Sequence, residues 1–160
     1  MASRSEAALL TATKEIISTQ GIKNLAMIDI ADLSEVSRAT LYNHFRDKDA
    51  VLYSLLSREI IHLFESAPKN PAELLEYFSC AISADQGLAG MRSHDPAIVA
   101  TMLMRSDDKI WHAIDAFFLS ALGSETKAGI AIAWLLAQVI QPLTPEQSRA
   151  QSSQLLHAYL

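Results

Sequence analysis

The residues best suited to chemistry lie between Val36 and Lys48. Ser37 has the character of an N-cap, and it opens a short helix from Arg38 to about His44. Leu41 and Phe45 are four apart and share one face of that helix, with Val36 just before it. The opposite face carries Ala39, Tyr42, Asn43 and Arg46. One small residue, two hydrogen-bonding side chains and one cation suit a helix that lies in the major groove of duplex DNA. His44 falls closer to the buried face. Arg46 leaves two readings open: a phosphate contact, or a solvated cation beside Asp47 and Asp49.

Those residues need a scaffold, and the preceding stretch supplies one. A first helix from about Ser5 to Gln20 has Leu9, Ala12 and Ile16 on its apolar stripe, with Leu10 and Ile17 beside it. Gly21 follows, where a left-handed helix end favours glycine. A second helix from about Met27 to Leu33 offers Ile30, Ala31 and Leu33 to the core. Two short helices joined by Ser34-Glu35-Val36 make a helix-turn-helix. A fourth helix from Lys48 or Asp49 to about Ser66 carries Leu52, Leu55, Leu56, Ile60, Leu63 and Phe64 at helical spacing. It continues from the head into the rest of the chain as a stiff lever of about five turns.

Composition narrows the class. Strand and hairpin signals are nearly absent. The breakers Gly21, Pro68/Pro71, Gly87/Gly90, Pro96, Gly123 and Pro142/Pro145 divide the 160 residues into about nine helical segments. The expected fold is all-α: a three-helix DNA-binding head over 1–48 and a helical ligand-binding and dimerisation body over 49–160. Charged residues make up 19% of the chain, against about 25% in an average soluble protein, so some apolar surface is left for a partner. The net charge of −5 does not advertise nucleic-acid binding. It divides into −1 for residues 1–50 and −4 for the remainder. A DNA-binding reading therefore rests on where the charges sit. The single cysteine, Cys80, lies in an apolar stretch and is expected in the core. It permits neither an intramolecular disulfide nor a multi-cysteine metal site, which fits a reducing compartment. No cofactor is expected. The longest apolar stretch, Ala128 to Ile140, is shorter than the roughly 20 residues of a membrane span. With no secretion signal visible, the cytoplasm is the expected location.

The run Ile30-Ala31, Val36-Ser37, Thr40-Leu41-Tyr42-Asn43-His44-Phe45 and Lys48 resembles the DNA-binding head of the tetracycline-repressor (TetR) family. Its most specific part is the Leu-Tyr-x-His-Phe-x-x-Lys string from Leu41 to Lys48, and Gly21, nine residues before Ile30, also fits. The resemblance covers roughly residues 6–56. It implies that Tyr42, His44 and Lys48 contact phosphates, Lys48 from a helix start whose N–H groups also favour an anion. It implies that Ser37, Arg38, Ala39, Thr40 and Asn43 face bases or nearby phosphates. Four positions depart from the family pattern. Ala26 stands where a capping Ser or Thr is usual, and Ile28 where a basic residue is frequent. Glu35 occupies a turn position commonly held by glycine, and Lys14 one that is usually apolar. Each lost phosphate contact weakens binding and flattens its salt dependence.

The body offers two further sites. Met102, Met104, Trp111, His112, Phe117 and Phe118 fall within seventeen residues. Core packing accounts for that density. So does an apolar pocket with a few polar handles, made from Met102, Trp111, His112, Phe117, Phe118 and His62. Asp107 and Asp108 are expected to cap the helix that holds Trp111. No His-Glu-x-x-His pair, glycine-rich phosphate loop or nucleophile elbow is present, so catalysis is not expected. Gly129, Ala133 and Ala137 repeat every four residues and would let another helix approach closely. A final helix, about Glu146 to Tyr159, offers Leu155, Leu156 and Tyr159. The two segments either pair with their copies as a two-fold four-helix bundle or complete the monomer core.

The sequence thus points to a homodimeric, ligand-responsive regulator, expected to be a repressor on a pseudo-palindromic DNA operator. The resemblance implies that a small apolar or amphipathic effector would release it. The other reading is a ligand-sensing or protein-interaction module with a degenerate head, motivated by Ala26, Ile28 and the acidic balance.

Overall fold

A computed structural model of the chain describes residues 3–104 and 106–159, with side chains through Leu156. The described residues are helical and contain no strand. Ten helices follow in order: α1 Arg4–Gln20, α2 Met27–Ser34, α3 Arg38–His44, α4 Lys48–Ser66, α5 Pro71–Ala84, α6 Gln86–His94, α7 Pro96–Met102, α8 Lys109–Leu122, α9 Glu125–Ile140 and α10 Pro145–Tyr159. They form two compact units. One holds Met1–Ile61 and Gln86–Pro96, the other His62–Asp85 and Ala97–Leu160. The first unit therefore extends past residue 48 and takes in α6.

In the first unit, α1 starts with a full capping box: Ser3 Oγ accepts from the Glu6 N–H, and Glu6 reaches back to Ser3. Leu9, Leu10, Ala12, Ile16 and Ile17 are buried as their spacing predicts, together with Thr13. Ile30 and Ala31 of α2, Leu41 of α3, Phe45, and Val51 and Leu55 of α4 complete this core. Leu33 and Leu56 depart from expectation and are exposed. Each lies just outside the narrow face that its helix buries. Lys14 is accommodated by Glu59 of α4, whose carboxylate lies 2.5 Å from its ammonium.

Gly87 and Gly90 do not break the chain. Both are buried inside α6, which packs across α1. A Cβ on Gly90 would sit 2.6 Å from the Ser18 Cα and closer still to the Ile17 carbonyl oxygen. Glycine is needed there for close approach rather than for a turn. Gly21 also differs from the expected left-handed end. Its φ of 78° and ψ of 177° fall in a region essentially reserved for glycine.

In the second unit, Leu74, Leu75, Phe78, Trp111, Phe118, Ala128, Ala131, Ile132 and Leu135 form the buried cluster. Asn70 caps α5, and Asp108 caps α8 through the Ile110 and Trp111 N–H groups. The Ser106 hydroxyl, then the Trp111 N–H, hold the Asp108 carboxyl below its ordinary range. A buried polar network joins α5, α9 and α10. Ser79 Oγ lies 2.6 Å from Gln138 Oε1 and 2.8 Å from Ser148 Oγ. Ser83 Oγ donates to the same Gln138 oxygen and accepts the Leu143 N–H. Among the described residues no helix is long and apolar enough to cross a membrane.

Candidate DNA-binding surface

The site is built on α3. Ser37 caps it by accepting the Thr40 N–H at 3.1 Å, and the two hydroxyls lie 2.8 Å apart. Leu41 and Phe45 are buried and fix which way the helix faces. Arg38, Ala39, Tyr42, Asn43 and His44 are exposed as a consequence, and Thr40 is half-buried. Tyr42 is 55% exposed, a large aromatic held in solvent without a core role. The eight residues expected at the site thus come together around one short helix and the start of the next, though not all in the expected condition.

His44 is not on the buried side. Its Nε2 lies 2.9 Å from Ser5 Oγ and 3.4 Å from Ser3 Oγ, so the first turn of α1 orients the ring. Lys48 is half-buried, and its ammonium donates to the carbonyl oxygens of Ile22 at 2.6 Å and Lys23 at 3.4 Å. The start of α4 already holds an anion of its own, because Asp47 Oδ1 accepts the Ala50 N–H. The other Asp47 oxygen meets Arg46 Nε at 2.7 Å. Arg46 is therefore a surface cation paired with its neighbour.

The departures at the turn take definite forms. Ala26 leaves the first turn of α2 without a side-chain cap. Ile28 is exposed beside Asp29. Glu35 adopts φ 55° and ψ 26°, so it tolerates the left-handed turn instead of shifting it.

Sequence reasoning missed Asp95. This carboxylate, 1% exposed, accepts the N–H groups of Ile22 at 2.5 Å and Lys23 at 3.2 Å. His94-Asp95-Pro96 does form the expected turn and helix start. Its partners, however, lie more than seventy residues away, which local pattern cannot reveal.

Of the six predicted pocket residues, three come together in the second core and three are exposed. Trp111 and Phe118 are buried in the second core, and Phe117 stacks on Phe64 at 4.1 Å. Met102, His62 and His112 are exposed, and His112 Nε2 lies 2.6 Å from an Asp107 oxygen. Two open depressions beside α1 include none of the six. Gly129, Ala133 and Ala137 are exposed along one face of α9. Leu155 and Leu156 pack against their own chain's core, and the Tyr159 side chain lies outside the described residues. Cys80 is partly buried.

Residues 9–55 match the family model described as bacterial regulatory proteins, tetR family. No curated protein matches the chain. Solved structures share the fold over nearly its whole length. The dihydroxyacetone kinase operon activator DhaS aligns with a TM-score of 0.70 at 14% identity, covering 97% of this chain and 95% of its own. A TetR transcriptional regulator from Rhodococcus sp. RHA1 aligns at 0.63 and 14%, covering 98% and 96%. The fatty acid degradation regulator FadR from Bacillus halodurans aligns at 0.63 and 14%, covering 99% and 98%. Residues 9–55 therefore carry a head of the tetR-family type, on an all-helical chain that shares its fold with such regulators.

Proposed function

We propose that the protein reads a pseudo-palindromic DNA operator as a two-fold dimer, represses transcription by occupying it, and is released by a small apolar or amphipathic effector. The observation that carries the DNA part is α3. A buried Leu41–Phe45 edge turns Arg38, Ala39, Tyr42 and Asn43 outward together. In this reading Asn43 pairs with a base edge, and Tyr42, His44 and Lys48 contact phosphates. Ser37, Arg38, Ala39 and Thr40 lie at the helix start that leads into the groove.

The dimer part is supported by α9. Gly129, Ala133 and Ala137 leave an exposed stripe of small side chains, and a Cβ on Gly129 would meet nothing within 4 Å. Ile140 at the end of α9 and Leu119 of α8 are also exposed. Burying this face against a second copy would remove apolar surface from water. Leu155 and Leu156 serve the monomer core in this reading. Effector chemistry is read from the aromatic cluster of Phe64, Phe78, Phe117 and Phe118, which favours an apolar ligand over an ionic one.

A degenerate head is the second reading. It is favoured by the uncapped α2, by exposed Ile28 and Asp29, and by Asp47 at the start of α4. Two variants separate the readings in a binding titration at several salt concentrations. Lys48→Ala should weaken binding to every duplex and reduce the salt slope by about one unit. Asn43→Ala should change base preference at one position, at about 1–3 kcal/mol of discrimination. If neither variant alters affinity, slope or preference, α3 and the start of α4 do not form the DNA surface.

A further inference from the structure

Asp95 is the one fully buried charged side chain among the described residues. It lies just past α6, against the α1–α2 turn. Its carboxylate sits so close to Gly21 that any side chain there would collide with it and with the His94 Cβ, 2.6 Å away. Lys23 Nζ is 3.9 Å from its other oxygen, too long and too exposed to neutralise it alone. The main partners are therefore backbone N–H groups.

One peptide unit carries the link further. The Lys23 N–H and the Ile22 carbonyl belong to the same peptide bond, and in a trans peptide they point in opposite directions. The N–H faces the Asp95 carboxylate, and the carbonyl faces the Lys48 ammonium at 2.6 Å. A peptide dipole of about 3.5 D thus lies between a buried anion and a cation in its favourable orientation. Ile22 adds a second N–H to the carboxylate, and the Lys23 carbonyl adds a second acceptor for the ammonium. An ammonium has three donors. Two are directed at these carbonyls, and the third can meet a phosphate oxygen.

We propose that Asp95 is a positioning residue for Lys48. Through the Ile22–Lys23 peptide, it fixes the point from which the ammonium meets the DNA backbone. This rests on the proposed DNA-binding function. It adds to that function a determinant more than forty residues beyond the helix-turn-helix.

The test compares the wild type with Asp95→Asn, Lys48→Ala and the double variant. Two readouts are used: duplex binding against salt, and the rate of amine acetylation at Lys48 relative to exposed Lys69, followed by mass spectrometry. Asp95→Asn should weaken duplex binding roughly tenfold at low salt, as for a lost hydrogen bond to a charged group. It should reduce the salt slope by about one unit. Lys48 acetylation should rise several-fold, and the double variant should bind no more weakly than Lys48→Ala. A folded Asp95→Asn protein with unchanged Lys48 reactivity, or with an unchanged salt slope, overturns the assignment while leaving the DNA reading intact. A wild type that binds no duplex overturns the DNA reading and this role together. If Asp95→Asn does not fold, hydrogen exchange at the Ile22 and Lys23 amides of Lys48→Ala decides. Faster exchange than in the wild type supports the link, and equal exchange overturns it.

Discussion

Glu35 carries a side chain at φ 55°, where the Cβ crowds the following carbonyl and costs about 1–2 kcal/mol. It also places a negative charge two residues before Ser37, at the entry to the helix proposed to meet DNA. Glu35→Gly removes both. Part of the gain is offset by the greater freedom of glycine in the unfolded chain. The variant should therefore be more stable by about 0.5–1 kcal/mol in urea denaturation, with tighter duplex binding. A lower midpoint would mean that the Glu35 side chain makes a compensating contact. At this scale the reading face was legible, because Leu41 and Phe45 declare the buried side by their four-residue spacing. Other features were not legible. The engagement of Lys48 with the Ile22 and Lys23 carbonyls depends on a loop that approaches only in the folded chain. Asp47 looked like one more surface acid, yet it binds the α4 start that was reserved for a phosphate.

Helix boundaries followed from capping chemistry and proline positions. Ser37, Asn70 and Asp108 each accept N–H groups of the helix they open. The pair Gly87/Gly90 misled because glycine serves two purposes that sequence does not distinguish: a break in direction and a close approach between helices. In α6 it is the second. A Cβ at position 90 would press on the backbone of Ile17 and Ser18, which cannot yield as a side-chain tip can. Gly90→Ala should thus lower stability by about 1–3 kcal/mol despite the better helix propensity of alanine. Thermal unfolding measures this directly, and a stabilised variant would show that α6 does not press on α1 as described. The final helix was legible in its bounds but not in its buried face. Its buried positions include Ser148 and Ser152, which hydropathy treats as solvent-facing. They pack because Ser79 Oγ, itself beside Gln138 Oε1, meets the Ser148 hydroxyl, while Ser152 Oγ donates to the Arg149 carbonyl.

For the whole molecule, the low charge content and high apolar content signalled surface kept for association. The proposed interface puts that surface on α9, where Gly129, Ala133, Ala137 and Ile140 are exposed. The Leu155 and Leu156 pair, expected on similar grounds, is used within the chain. Sequence periodicity could not choose between them, since a core leucine and an interface leucine leave the same pattern. The central claim is that two heads, held at a fixed separation, read one operator. It is tested most directly by selecting from a random duplex pool at two salt concentrations, with the wild type and Ala133→Glu side by side. The account predicts that the wild type enriches an inverted repeat with half-sites about one helical turn, or a multiple, apart. Ala133→Glu, with a charge in the proposed interface, should be monomeric by light scattering and should enrich at most a single half-site. A folded wild type that enriches no motif at either salt concentration, or an Ala133→Glu protein that remains dimeric and selects the same repeat, would contradict it.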